Sequence, residues 1–273
     1  MTTTEPPAVE LIRHSFAAAD AALGRGDYPA FFQAVIAARE GLKALPCPEG
    51  DVLPADTTAR WRGLNERFEC LFEWASGLEL LLDPGRRTGL DTSGPNFLGA
   101  KADAALLGQL GGMAADELVF VGSGAFPQTL LYLCHATPIP VLHGVDFNPE
   151  RAYFAQRLSR ECGLDRRLRY TVSHGARFEY RQARVVIVAS LVEDKLGVLE
   201  QIAATAESGT IVFLRSPAGW GRLLYEDVPT EARVSRLRPQ TSHRPAANSL
   251  FQTRVFKVTD TEPGPLPGGG KTA

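Results

Sequence analysis

Leu118-Val119-Phe120-Val121 runs straight into Gly122-Ser123-Gly124-Ala125-Phe126-Pro127, the pattern of a buried strand entering a tight loop that opens a helix. Glycines in such a loop let the backbone approach a ligand closely and turn N–H groups toward it. Pro127 stands where a dinucleotide fingerprint would carry its third glycine, which argues against a nicotinamide cofactor. Asp146 closes the next apolar run, in Gly144-Val145-Asp146-Phe147-Asn148-Pro149, where a carboxylate can accept both hydroxyl protons of a ribose. Loop and acid together favour S-adenosylmethionine over a structural turn beside a solvated aspartate.

A sulfonium makes all three attached carbons electrophilic, so the product depends on which carbon is turned toward the nucleophile. An amine nucleophile titrates near about pH 8 to 9 and needs a base or a desolvating pocket to become neutral. Glu69 and Glu73 lie one turn apart on the flank of a helical pattern. On an open helix face they would be ordinary solvated acids. On a cleft wall, repulsion and burial would raise one of them toward the useful range, and Glu73 is then the candidate base. Arg215, at the end of the fifth apolar run, and Arg222 could hold carboxylates through bidentate hydrogen bonds or serve the structure alone. Tyr225 either caps the pocket or packs beneath it. Asp194 reads as a helix cap ahead of Lys195, and neither is assigned catalysis. Histidines and cysteines are scattered without ligand spacing, so no metal cofactor is expected, and Cys47, Cys70, Cys134 and Cys162 read as free thiols.

The elements that must position these groups divide the chain in two. Ile12, Phe16, Ala19 and Leu23, then Phe31, Val35, Ala38 and Leu42, then Trp61, Leu64, Phe68, Leu71, Ala75, Leu78 and Leu82 follow helical spacing. Asp27 before Pro29 suits the start of the second helix, and the segment from Pro46 to Pro54 its exit loop. From Glu117 short apolar runs take over: 118–121, 140–145, 168–172, 185–189 and 210–214. Helical stretches lie between most of them, for example 149–162 and 195–206, as in a mainly parallel sheet with helices on both faces. Two later runs, 233–237 and 250–258, could close the sheet edge as an antiparallel pair. The expected domains are 1–100, helical, and 101–259, an α/β ligand-binding domain, with 260–273 a Pro- and Gly-rich flexible tail.

Twenty-nine Lys and Arg against 31 Asp and Glu leave a net charge of -2, which gives no overall field for nucleic acid or an anionic membrane. No apolar run is long enough to span a bilayer, and the first residues lack a basic segment followed by an apolar one. A cytoplasmic location is expected. An exposed apolar face among the helices could support a homodimer.

The stretch from Phe120 to Tyr225 resembles the nicotianamine synthase family, a branch of the methyltransferase fold that includes bacterial enzymes of opine-type metallophore synthesis. The likeness is carried by Phe120-Val121-Gly122-Ser123-Gly124 with Pro127, by Asp146 to Pro149, by Ala189-Ser190-Leu191-Val192 with Lys195, and most specifically by Leu214-Arg215-Ser216-Pro217-Ala218-Gly219 leading to Leu224-Tyr225. His243 with Asn248-Ser249, the helix from Leu64 through Glu69 to Glu73, and Asn96-Phe97 extend it.

The resemblance implies a Rossmann-like class I S-adenosylmethionine methyltransferase fold of α/β type behind an N-terminal helical domain. The implied reaction moves no methyl group: the 3-amino-3-carboxypropyl (2-aminobutanoate) group passes from S-adenosylmethionine, a co-substrate, to an amine, releasing methylthioadenosine. The short helical region looks like the bacterial type, which implies histidine as acceptor and an opine-type dehydrogenase downstream. It also implies donor contacts at Gly122, Ser123, Gly124, Asp146, Phe147, His174, Ala176, Ala189 and Ser190. Acceptor contacts fall to Glu69, Phe97, Arg215, Arg222 and Tyr225, with Glu73 catalytic.

Phe97 stands where nicotianamine-making members carry a tyrosine, which points to a different acceptor. His174 occupies the region where methyltransferase folds place an acid near adenine, and either touches the nucleoside or fills space. The rival activities are synthesis of nicotianamine or an analogue from several donor molecules, methyl transfer to a small molecule, and metal or nucleoside binding without turnover.

Overall fold

Apolar spacing dictates the first third of the chain. In the computed structural model, which describes residues 7–46, 55–83, 85, 97–228 and 233–260, the expected helices are α1 (Pro7–Gly24), α2 (Tyr28–Ala44) and α3 (Ala55–Leu82). The Asp27 carboxylate accepts the Ala30 N–H at 3.2 Å and Pro29 sits in the first turn, so α2 starts where its cap lies. Ile12, Phe16 and Ala19 interlock with Phe31, Val35, Ala38 and Leu42 and with Trp61, Leu64 and Phe68 in one buried cluster. Phe16 stacks on Trp61 with centroids 4.3 Å apart.

The stripe along α3 departs from expectation past Phe68. Leu78 and Leu82 are 46% and 81% exposed, while Gly77 and Leu80 are buried. The cause is a second partner: the Phe154 ring lies against Trp74 and fills the space where a Cβ on Gly77 would stand. Cys47, the loop 47–54, Pro84, Asn96 and the tail 261–273 lie outside the described residues.

The α/β part follows as α4 (Leu98–Gln109), β1 (Glu117–Val121), α5 (Gln128–Ala136), β2 (Val141–Asp146), α6 (Pro149–Glu161), β3 (Leu168–Val172), β4 (Val185–Val188), α7 (Lys195–Thr205), β5 (Ile211–Pro217), β6 (Leu237–His243) and β7 (Phe251–Val258). They build one seven-stranded sheet in the order β3-β2-β1-β4-β5-β7-β6. Neighbours among β1 to β5 pair in parallel, and β7 runs antiparallel to both β5 and β6. Strand alternation splits the apolar side chains between two faces. Leu118, Phe120, Leu142 and Ile187 pack with α4, α5 and α6, whereas Val119, Val121, Val186 and Val188 pack with α7. Helices therefore cover both faces of the mainly parallel sheet, as expected for the methyltransferase type of α/β fold.

The edge strand is displaced from its expected place. Arg236 takes φ +64, which interrupts extended backbone at 233–237, and the strand forms over Leu237–His243 instead. That segment is polar because it is an outer edge, and its pairing shifts register between Pro239 and Thr241. Between β3 and β4 there is only a 3-10 turn, Gly175–Arg177. Trp220, Leu223, Leu224, Tyr225 and Leu250 join the core of α1 to α3, which docks the helical layer over the strands' C-terminal side.

Candidate active site

A cleft of about 900 Å3 opens where the C-terminal ends of the parallel strands face α2 and α3. Such ends are the usual ligand-binding edge of parallel α/β sheets. The strand-to-helix turn that the glycines build forms one wall. Gly122 and Gly124 have φ +78 and +69, left-handed values that glycine adopts without steric cost. The Gly122 N–H donates to the Val145 carbonyl at 2.8 Å, drawing the turn toward β2. The Gly124 N–H donates to Asp146 Oδ2 at 2.9 Å and the Asn148 N–H to Oδ1 at 3.0 Å. Each Asp146 oxygen keeps lone-pair capacity for a ligand hydroxyl.

Phe147, 63% exposed, stands at the mouth, and Ala189 and Ser190 line the cleft just beyond β4. Ser123 is also on the wall, and its buried hydroxyl has no protein partner among the described residues. His174 lines the same side, where its Nδ1 accepts the Ala176 N–H at 3.2 Å. The proton of the neutral ring is then on Nε2.

Glu73 reaches across from α3. Its Oε2 accepts the Ala125 N–H at 2.9 Å, so the carboxylate sits directly over the glycine turn. Its side chain is half-buried on the cleft wall. Burial pushes its pKa up to about 7, reinforced by the charges of Glu69 and Asp146 and opposed by the Ala125 hydrogen bond and Arg151.

Glu69 has a different environment. Arg39 Nη1 donates to its Oε1 at 2.5 Å and the Tyr225 hydroxyl donates to the same oxygen at 3.2 Å. Arg39 also reaches Tyr225 at 3.2 Å and Asn65 at 3.3 Å. Burial pushes the Tyr225 phenol up to about 12, so it stays protonated and able to donate. Two carboxylates one helical turn apart are thus separated in character: one is held by a guanidinium and a phenol, the other is poised near neutrality.

Arg215 also lines the cleft, but most of its fork is occupied. Its Nε and Nη2 donate to Asp103 Oδ2 at 3.1 and 2.6 Å, and Nη2 donates to Thr129 at 2.9 Å. Asp103 is fully buried, and the pair anchors α4 to the end of β5.

Three expected residues stand off the cleft wall. Arg222 lies in the 3-10 turn Gly219–Leu223, whose three-residue repeat turns Trp220 and Leu223 inward and Arg222 into solvent. Its carbonyl instead accepts from Arg62. Phe97 is buried against Tyr132 just ahead of α4, leaving Leu98 and Gly99 on the wall. Ala176 sits in the 3-10 turn after β3 and contributes its N–H to His174.

Among the cleft residues that escaped sequence reasoning are two arginines, Arg39 and Arg151. Arg39 directly follows Ala38 of the α2 core stripe, a position that marks it as flanking the core without revealing its partners. Arg151, in the first turn of α6, donates to the Cys70 sulfur at 2.8 Å and contributes positive charge beside Glu73. Among the described residues no group of three or more His, Cys, Asp or Glu could hold a metal ion, and no helix is long and apolar enough to cross a membrane.

A family model described as nicotianamine synthase protein matches residues 98–257. No curated protein sequence matches the chain. Among solved structures, a glutamate-to-glutamine variant of MtNAS in complex with S-adenosylmethionine superposes with a TM-score of 0.73 at 17% identity, over 92% of this chain and 97% of that one. MtNAS in complex with MTA and tNA gives 0.70 at 18% identity, over 90% and 96%. Likeness at these identities speaks for the fold, which the two share from the helical layer through the sheet.

Proposed function

The chain belongs to the nicotianamine synthase family, and from that premise we propose that it transfers the 3-amino-3-carboxypropyl group of S-adenosylmethionine to the α-amine of histidine, releasing methylthioadenosine. The product is an intermediate of a nicotianamine-like opine metallophore, which an opine-type dehydrogenase then consumes. The observation that carries the reading is Glu73: a carboxyl raised to about 7 and fixed over the glycine turn, where a donor sulfonium would lie.

S-adenosylmethionine supplies the sulfonium and its electrophilic carbons. The residues of the cleft suit that ligand. Gly122 and Gly124 leave no side chain between the turn and a bound nucleoside, Asp146 accepts from ribose hydroxyls, and Phe147, Ala189 and Ser190 flank the nucleoside. His174 offers Nε2–H toward the adenine side. Glu73 takes the proton of the acceptor ammonium, leaving a neutral amine. The acceptor nitrogen bonds the γ-carbon of the donor chain as the carbon–sulfur bond breaks, and the bonding pair stays on sulfur as a neutral thioether. Glu69, charge-balanced by Arg39, and Tyr225 contact the acceptor. Arg215 presents its remaining N–H groups to a carboxylate.

The test is mass spectrometry of purified protein incubated with S-adenosylmethionine and each histidine enantiomer, following nucleoside and amino-acid adduct together. Methylthioadenosine with histidine carrying one aminobutanoate is the expected result. S-adenosylhomocysteine with a methylated acceptor would overturn it. Adducts built from several donor units would instead assign a nicotianamine-type reaction.

A further inference from the structure

Lys195 opens α7 and is 2% exposed, one of the largest fully buried side chains of the protein. Its placement runs against elementary electrostatics twice. A cation at a helix N-terminus opposes the helix dipole, and a buried ammonium without a directly bonded carboxylate forfeits most of its hydration. Its two hydrogen bonds go to main-chain carbonyls, Ser190 at 2.7 Å and Glu226 at 2.5 Å. Burial accordingly pulls its pKa down to about 8, although Asp227 and Glu226 act to raise it and Arg62 to lower it further.

The two carbonyls belong to separate segments that each contribute to the cleft lining: Ser190 lines it directly, and Glu226 adjoins Tyr225, which does. Ser190 lies in the turn after β4, next to Ala189 and close to Val192, whose methyl packs where a Cβ on Gly122 would stand. Glu226 directly follows Tyr225, whose hydroxyl bonds Glu69 on α3. Ser190 and Glu226 are far apart in sequence, and no pairing of strands joins their segments. One ammonium bridges them.

We infer that Lys195 is a positioning residue, a strut behind the cleft lining that holds the donor-side turn 189–192 and the acceptor-side segment at Tyr225 in register with each other. This rests on the proposed transfer reaction for its kinetic consequence, but its structural consequence can be read without any turnover. Direct displacement needs nucleophile and electrophile aligned within a few tenths of an ångström, and losing that alignment costs rate before it costs binding. A misaligned acceptor also leaves the donor open to water, with the carbon–sulfur bond breaking, a carbon–oxygen bond to water forming, and methylthioadenosine, homoserine and a proton as products.

The test compares Lys195→Met, which keeps the length and apolar stem, with Thr210→Val, which removes a buried hydroxyl bond to the Ala183 carbonyl at the far end of β5. For Lys195→Met the expected result has three parts: a kcat at least tenfold lower, a donor Kd within threefold of the parent, and more methylthioadenosine formed than adduct. Hydrogen exchange should rise together in 189–192 and 224–227. Thr210→Val should lower the melting temperature and leave the product ratio at the parent value. Parent-like coupling and exchange in Lys195→Met would overturn the strut while leaving the transfer reaction standing. Absence of methylthioadenosine from the parent protein would overturn the reaction, and paired exchange in the two segments would then still decide the strut. Should Lys195→Met not fold, hydrogen exchange of the parent at neutral pH decides: amides of 189–192 and of 224–227 should open in one common unit as denaturant is raised, and independent opening of the two segments overturns the inference.

Discussion

Glu73 Oε2 accepts the Ala125 N–H at 2.9 Å, tying the middle of a long N-terminal helix to the turn that follows the first strand. The bond crosses from the helical layer to the sheet and puts a carboxylate where the turn faces the cleft. Because the acceptor oxygen is all that this bond requires, Glu73→Gln can keep it while removing the base. Turnover should fall at least about a hundredfold, with donor affinity by calorimetry nearly unchanged. Near-normal turnover would remove Glu73 from the reaction.

The same carboxyl sets a pH dependence. Its pKa rises from an ordinary 4.5 to about 7 because burial penalises the charged form. The base is therefore idle below about pH 7, and kcat/KM should climb as pH rises through that value and level off above it. Stability should move the opposite way: between pH 4.5 and 7 the folded protein keeps a proton that the unfolded chain has released, so this group's contribution is present at low pH and is lost as pH rises through the window. Melting curves of the parent and Glu73→Gln across pH 4 to 8 check the sign. The substitution should gain relative stability toward pH 8.

Asp146 holds two backbone N–H groups and is only 4% exposed. Asp146→Ala should weaken S-adenosylmethionine binding by roughly 1.5 to 3 kcal/mol, the size of a charged hydrogen bond. Asp146→Asn retains an oxygen for one of the two N–H groups and should fall between. An unchanged dissociation constant in the alanine variant would move the ribose contact elsewhere.

Arg39 and Glu69 should behave as a unit. Each side chain is only about a fifth exposed, at 23% and 22%, so removing one partner leaves the other charge poorly compensated. Arg39→Met and Glu69→Gln should each lower stability, and the double variant should lose less than the sum. A coupling energy of roughly 0.5 to 3 kcal/mol from the four melting or denaturant curves is expected, and additivity would show the contact to be energetically idle.

How much of this was legible in the sequence depends on how local each feature is. The glycine turn and Asp146 could be read because strand, turn and acid are neighbours along the chain, and Glu69 with Glu73 because helical spacing alone puts them on one flank. Arg39 could not, because its role exists only once α2 packs on α3 and Tyr225 arrives from beyond β5. For Arg222 the sequence left open whether it holds a carboxylate or serves the structure, and the reason it stands off the wall is local: a 3-10 turn repeats every three residues, and the bulky Trp220 and Leu223 claim the inside. The edge strand was misplaced because an edge carries polar residues, so its apolar signal vanishes where its hydrogen bonds begin.

Gly124 joins the fold and the proposed chemistry at one atom. Its φ of +69 is a value that an alanine adopts only with strain, and a Cβ there would collide with both carboxylate oxygens of Glu73. Gly124→Ala should therefore do two separable things. Backbone strain should lower stability by about 1 kcal/mol or more, visible in denaturant midpoints. Displacement of Glu73 should break its bond to Ala125, so that turnover falls toward the level of Glu73→Gln. Combining the two substitutions distinguishes these effects: if Gly124→Ala acts on turnover only through Glu73, adding it to Glu73→Gln should cost stability again but little further rate. A full multiplicative loss of rate would mean that the turn itself, rather than the carboxylate it supports, aligns the reacting groups.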